Sequence, residues 1–153
     1  MIPRPAREED VEAMLALMAP HVASEDLLPR DRSDLLRRLD EFMLLQEEKP
    51  RGSLVGMAAL YRYGPDLAEI RSLAVASTHA GRGFGRLLAR ELLDRAREAG
   101  LKRVIALTRR PAFFQAIGFL PATLESLPEK VRRDCQFCPR RERCDEVAMV
   151  FEL

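Results

Sequence analysis

Two histidines, His21 and His79, and three cysteines are few for a chain of 153 residues, and the shortage removes several chemistries at once. With no Gly-x-Ser-x-Gly run and so little imidazole, a Ser-His-Asp hydrolase or a histidine-rich zinc hydrolase finds little support. Cys135, Cys138 and Cys144 cannot all pair with one another, which argues for a reducing compartment, the cytoplasm by default, over a secreted disulfide framework. Long hydrophobic runs are missing too. A spanning helix needs roughly 20 apolar residues, the runs here stop after a few, and the start of the chain carries Arg4, Arg7 and acids, so neither a signal peptide nor a membrane partner is expected. Nor does either charge dominate. The 25 basic and 24 acidic residues nearly cancel, which withholds the phosphate attraction behind nonspecific nucleic-acid binding.

What is present suits one folded domain over residues 1–153. The hydrophobic fraction of 47% can fill a core, and no internal repeat or low-complexity linker divides the chain. A short strand at Ile2 to Pro5 leads into an amphipathic helix over Glu8 to Met18, with Val11, Met14, Leu15 and Met18 at helical spacing behind an acidic first turn. A second helix is expected over Ser33 to Leu39, capped by Ser33, after an irregular stretch at Ser24 to Asp31. Phe42 to Gln46 and Leu54 to Tyr61 read as two antiparallel strands, and Leu67 to Val75 as a third that runs straight into Gly81, Gly83 and Gly85. A long amphipathic helix follows through Glu98 and stops at Gly100. Val104 to Thr108 is another strand, Pro111 opens a short helix that Gly118 ends, and Val147 to Glu152 is the last strand. The charged, cysteine-bearing stretch around 129–145 reads as an insertion on the main fold.

Strand, glycine loop, helix is the unit that points to chemistry. Glycine takes positive φ and lets a ligand approach the backbone, and a helix start offers unpaired N–H groups and the positive end of a dipole, which together suit phosphate. No Lys followed by Ser or Thr closes the loop, so it is not a P-loop, and its spacing differs from the dinucleotide fingerprint. A tight structural turn without a ligand stays open as the plain alternative.

The order Leu73, Ala74, Val75, then Gly81, Arg82, Gly83, Phe84, Gly85, Arg86, Leu87, Leu88, and later Phe113 to Phe119 ending in Gly118 and Phe119, resembles the GNAT superfamily of N-acetyltransferases. That resemblance implies an α/β (α+β) fold with a mixed central sheet of about six or seven strands and flanking helices, and acetyl-CoA as cosubstrate. It further implies that the backbone of Leu73, Ala74 and Val75 pairs with the pantetheine arm. The amides from Gly81 through Arg82, Gly83, Phe84 and Gly85 to Arg86 would hold the pyrophosphate, with charge from Arg82 and Arg86. The position that usually opens this loop with Gln or Arg is Ala80 here. Acyl transfer needs a neutral amine and a donor for the oxyanion. Glu69 is the expected base and the N–H of Leu73 or a neighbouring residue the oxyanion donor that the resemblance implies, with an exposed Glu69 paired to Arg71 as the alternative for the base. Relatives often carry a tyrosine as acid where this chain has Phe114, so water or the transferred amine proton would serve the leaving thiolate.

Within the superfamily the pieces Leu28, Pro29, Arg30; Ala58 to Tyr61; Ala68, Glu69; Leu107, Thr108; and Leu127 to Lys130 are most similar to short stand-alone bacterial N-acetylglutamate synthases. That implies L-glutamate as acceptor in a ternary complex, its carboxylates held by Arg30 and Arg143, with Arg71, Arg109, Arg110 and Lys130 as further candidates. Of the 25 basic residues 22 are arginine, so such agreement comes easily. Another amino acid, a polyamine or a protein N-terminus as acceptor stays open, as does a non-catalytic acyl-CoA-binding or metal-binding module. Cys135, Cys138 and Cys144 have one gap that metal sites use but no fourth cysteine, so no metal is expected. Completion by Asp134, Asp145, His21 or His79, a redox-sensitive disulfide, and reduced thiols packing a loop all stay open. The expected partners are therefore two small molecules, with no nucleic acid and no membrane, and a homodimer as an open state.

Overall fold

Residues 1–49, 52–127 and 146–153 are described by a computed structural model. Among these residues the strands are β1 (Arg4–Pro5), β2 (Phe42–Gln46), β3 (Leu54–Arg62), β4 (Leu67–Val75), β5 (Arg103–Thr108), β6 (Leu120–Ala122) and β7 (Val147–Glu152). They form one seven-stranded sheet in the order β1-β2-β3-β4-β5-β7-β6. The helices are α1 (Val11–Ala23), α2 (Arg32–Arg37), α3 (Phe84–Glu98) and α4 (Pro111–Ile117). The sheet is mixed, as the sequence leads one to expect: β2 and β3 run antiparallel, while β4 and β5 run parallel with α3 between them in the chain.

By compactness the chain divides into two units, Met1–Tyr61 with Ile70–Arg95, and Arg62–Glu69 with Ala96–Leu153. In the first, Val11, Met14 and Met18 of α1 and Leu35 of α2 are buried with Phe42, Leu44, Met57, Ala59 and Ala74 of the strands. The stripe predicted for α1 is therefore its core side. The helix runs on past Met18 to Ala23 with Pro20 inside it, and Ser24 N–H closes the end by donating to Pro20 O at 3.1 Å. The cap of α2 also differs from expectation. Asp31 accepts from the Asp34 N–H at 2.7 Å, so the helix begins at Arg32 and Ser33 lies inside its first turn. The carboxylate wins because it meets the helix amides in extended backbone, φ −95 and ψ 169, which a cap requires.

In the second unit Leu67, Ile105, Leu127 and Ala148 form an apolar cluster. The parallel register is Leu67↔Arg103, Ala68↔Val104 and Glu69↔Ile105, and β7 pairs antiparallel with β5 from Arg103↔Glu152 to Thr108↔Val147. β6 is a strand the sequence does not announce. Its three residues include Pro121, and pairing with β7 makes it a strand. No helix among the described residues is long and apolar enough to cross a membrane.

Candidate active site

The first unit holds the glycine loop. Gly81 and Gly83 have φ of +75° and +83°, and at both a Cβ would meet nothing within 4 Å, so the loop's backbone is open where a ligand would approach. The Leu87 N–H donates to Gly83 O at 3.0 Å, which makes that carbonyl the first acceptor of α3. The amides of Phe84, Gly85 and Arg86 thus sit in the first turn, where a helix leaves its N–H groups without intrahelical partners. Leu88, Ala89, Leu92 and Leu93 are buried while Arg86 is exposed in the first turn and Arg82 in the loop before it, so positive charge lies on the solvent side of this start.

His79 steadies the approach to the loop. Its Nε2 lies 3.2 Å from Glu47 Oε1, its Nδ1 lies 2.9 Å from Thr78 Oγ1, and its ring is 6.0 Å from that of Phe84. This contact was not foreseen, because Glu47 is far away in sequence.

Ahead of the loop, β4 carries Arg71, Ser72, Leu73, Ala74 and Val75. Ser72 has φ +54° in the middle of the strand, a left-handed conformation that costs a residue with a side chain about 1–2 kcal/mol. Such strain persists where the surroundings over-determine it, and it collects at functional sites. One restraint is visible: Arg30 Nη1 donates to Ser72 Oγ at 3.2 Å. The amide of Leu73 follows directly on this turn of the backbone. Ala74 is buried, and Val75 O accepts from His21 Nε2 at 3.0 Å. Since a carbonyl only accepts, Nε2 carries the hydrogen. One backbone group expected to face the pantetheine arm is therefore already engaged by α1, a contact that no side-chain pattern in the sequence announces because His21's partner is main chain.

Arg30 is fixed on several sides. Its Nε donates to Asp34 Oδ2 at 2.6 Å, and its guanidinium lies 4.9 Å over the Phe42 ring. Burial pushes the Asp34 carboxyl up, but the Arg30 hydrogen bond and the charges of Arg30, Arg38 and Arg37 outweigh it and hold the group below the usual carboxylate range. Arg71 lies with its guanidinium carbon 3.9 Å from the centre of the Tyr61 ring, and Arg38 lies 5.2 Å from the same ring. These are cation–π distances, and they hold the cations in place. Arg30, Arg71, residues 72–75 and the glycine loop thus belong to one unit. Arg143 and Lys130 lie outside the described residues, as do Cys135, Cys138 and Cys144.

The second unit holds Glu69. It is 6% exposed, a buried carboxylate and not the exposed one of the alternative reading, and Tyr63 Oη donates to its Oε1 at 2.6 Å. The pairing of β4 with β5 at Ile105 sets its place. Phe114 is 6% exposed and packs edge-on to Phe113 and Phe119, with ring centres 5.0 and 5.1 Å apart, so it is part of an aromatic core. Tyr63 went unnoticed because a tyrosine beside Gly64 and Pro65 reads as ordinary turn flanking. Among the described residues no three His, Cys, Asp or Glu side chains gather as a metal site would require.

A model of the acetyltransferase (GNAT) family matches residues 9–122. The chain is similar to an uncharacterized N-acetyltransferase of Chlorobaculum tepidum, 33% identical over 150 residues that cover 98% of this chain and 95% of that one. It is also similar to the amino-acid acetyltransferase of Mycobacterium tuberculosis, 34% identical over 134 residues, 84% of this chain and 76% of the relative. Among solved structures, N-acetylglutamate synthase of Neisseria gonorrhoeae complexed with coenzyme A and N-acetyl-glutamate superposes with a TM-score of 0.89 at 31% identity. That likeness covers 99% of this chain and 34% of the other, so the chain spans about a third of that protein's length.

Proposed function

Because the chain belongs to the acetyltransferase (GNAT) family, we propose that it transfers the acetyl group of acetyl-CoA to the α-amine of L-glutamate. The observation that carries this reading is the likeness, over nearly the whole chain, to an N-acetylglutamate synthase solved with coenzyme A and N-acetyl-glutamate. The open backbone at Gly81 and Gly83 and the first-turn amides of α3 suit a pyrophosphate, since the two glycines put no side chain in its way and the helix start leaves N–H donors without intrahelical partners. Arg82 and Arg86 add positive charge at that end.

Acetyl-CoA supplies the thioester that the amine attacks. Glu69 takes the amine's proton, directly or through one water, so that a lone pair is available for attack. The Leu73 N–H stabilises the oxyanion, and the strained backbone at Ser72 sets its direction. Arg30, with Arg71 and Arg143, provides the cations that two substrate carboxylates require. Arg30 is suited to this because Asp34 and Ser72 fix its plane before a ligand arrives. The amine attacks the acyl carbon itself, and no acyl-enzyme forms. The thiol departs with a proton from the transferred amine or from water, being a tolerable leaving group with an ordinary pKa near 8.5.

The test is product analysis: purified protein, acetyl-CoA and L-glutamate, with masses recorded over time. N-acetylglutamate should form one for one with thiol released. Acetylation of a different amine with glutamate left untouched would remove the glutamate assignment and keep the family reaction.

A further inference from the structure

We propose that Tyr63 is a positioning residue for the acyl transfer, acting through Glu69. The inference rests on the assignment of Glu69 as base above and adds a residue to it. The contact is short, 2.6 Å from Tyr63 Oη to Glu69 Oε1, and both ends are held by backbone. The Tyr63 N–H donates to Leu67 O at 2.9 Å across the β3–β4 turn, and the Tyr63 ring packs against the cluster of Leu67, Ile105, Leu127 and Ala148. Glu69 is fixed by its register with Ile105.

A hydroxyl so placed does two things for a carboxylate that is 6% exposed. It fixes the rotation of the carboxyl plane, so that the oxygen receiving the proton always points the same way. It also gives that buried carboxylate oxygen a hydrogen-bond donor in place of the hydration lost on burial. The chain has two tyrosines, and the other, Tyr61, lies under the Arg71 guanidinium. With Phe114 inside an aromatic core, Tyr63 is the phenol this site has available.

The experiment is a double-mutant cycle with Tyr63→Phe, Glu69→Gln and the pair, measuring thiol release at saturating acetyl-CoA with the best amine and acetyl-CoA affinity by calorimetry. Tyr63→Phe should lower kcat about tenfold and leave acetyl-CoA affinity unchanged, and in the Glu69→Gln background it should cost less than about twofold more, because it works through that carboxylate. A purely structural tyrosine would give losses that multiply. A second measurement does not require Tyr63→Phe to fold. The chain has no tryptophan, so a Tyr61→Phe background leaves Tyr63 as the sole strong ultraviolet emitter. A carboxylate acceptor quenches phenol emission, and Glu69→Gln should therefore brighten it. Normal kcat in Tyr63→Phe, multiplying losses, or unchanged emission would each overturn the proposal while leaving the transferase reading intact. A wild-type protein that acetylates no amine would overturn both.

Discussion

Alanine at Gly81 or Gly83 should weaken acetyl-CoA binding without disturbing the fold. Both glycines have positive φ, +75° and +83°, and a Cβ at either meets nothing within 4 Å, so the substitution carries a backbone cost and no clash. Holding alanine in that conformation costs about 1–2 kcal/mol, partly offset by about 0.4–1 kcal/mol from a less flexible unfolded chain. A surface loop can escape the strain by leaving the conformer that presents its amides. A net cost near 1 kcal/mol then lowers the competent fraction, and the apparent affinity with it, by up to about fivefold per glycine. Gly100 is a matched control, with φ +78° and equally open space just beyond α3. Gly100→Ala should lower Tm by about 2–4 °C per kcal/mol lost and leave acetyl-CoA affinity unchanged. Calorimetric titration of acetyl-CoA into the three variants separates these cases, whatever the acceptor amine. Equal weakening in Gly100→Ala, or none in Gly83→Ala, would refute the assignment of the loop.

Three further outcomes follow from particular contacts. Arg30→Ala should raise KM for glutamate about tenfold or more, the equivalent of ~1.4 kcal/mol, with the acetyl-CoA KM unchanged in steady-state kinetics. Asp31→Ala should cost about 1 kcal/mol of stability by removing the α2 cap, whereas Ser33→Ala should cost little, and thermal melts of the two variants decide which residue caps. Asp10 is held below its usual value of 3.8, first by the two Arg4 hydrogen bonds of 2.8 Å. Its contribution is present above the unfolded pKa and lost as pH falls through the lower folded one, so Asp10→Asn should be less stable than wild type at pH 7 and converge with it in acid, as read by urea unfolding across pH.

The frame of the fold was legible because its signals are local. β2, β4 and β7 lie where apolar runs and their flanking turns place them, and α3 ends before Gly100 as the glycine announces. What escaped depends on partners distant in sequence. β6 exists because β7 pairs with it, and the α1 boundary moved past Pro20 because packing outweighs one lost hydrogen bond. The same division runs through the candidate residues. The glycine loop and Glu69 stand out by residue type and order. The contacts of His21 with Val75, His79 with Glu47, Arg30 with Ser72 and Tyr63 with Glu69 join residues whose pairing no local pattern encodes. The strain at Ser72 is equally silent, since serine in a strand run gives no hint of positive φ.

The most direct test of the account is thiol release from acetyl-CoA by the purified protein against a panel of free amino acids and polyamines. The account predicts turnover that is clearly best with L-glutamate. Acetyl-CoA binding with no thiol released by any amine would contradict it, and would leave an acyl-CoA-binding protein in place of a transferase.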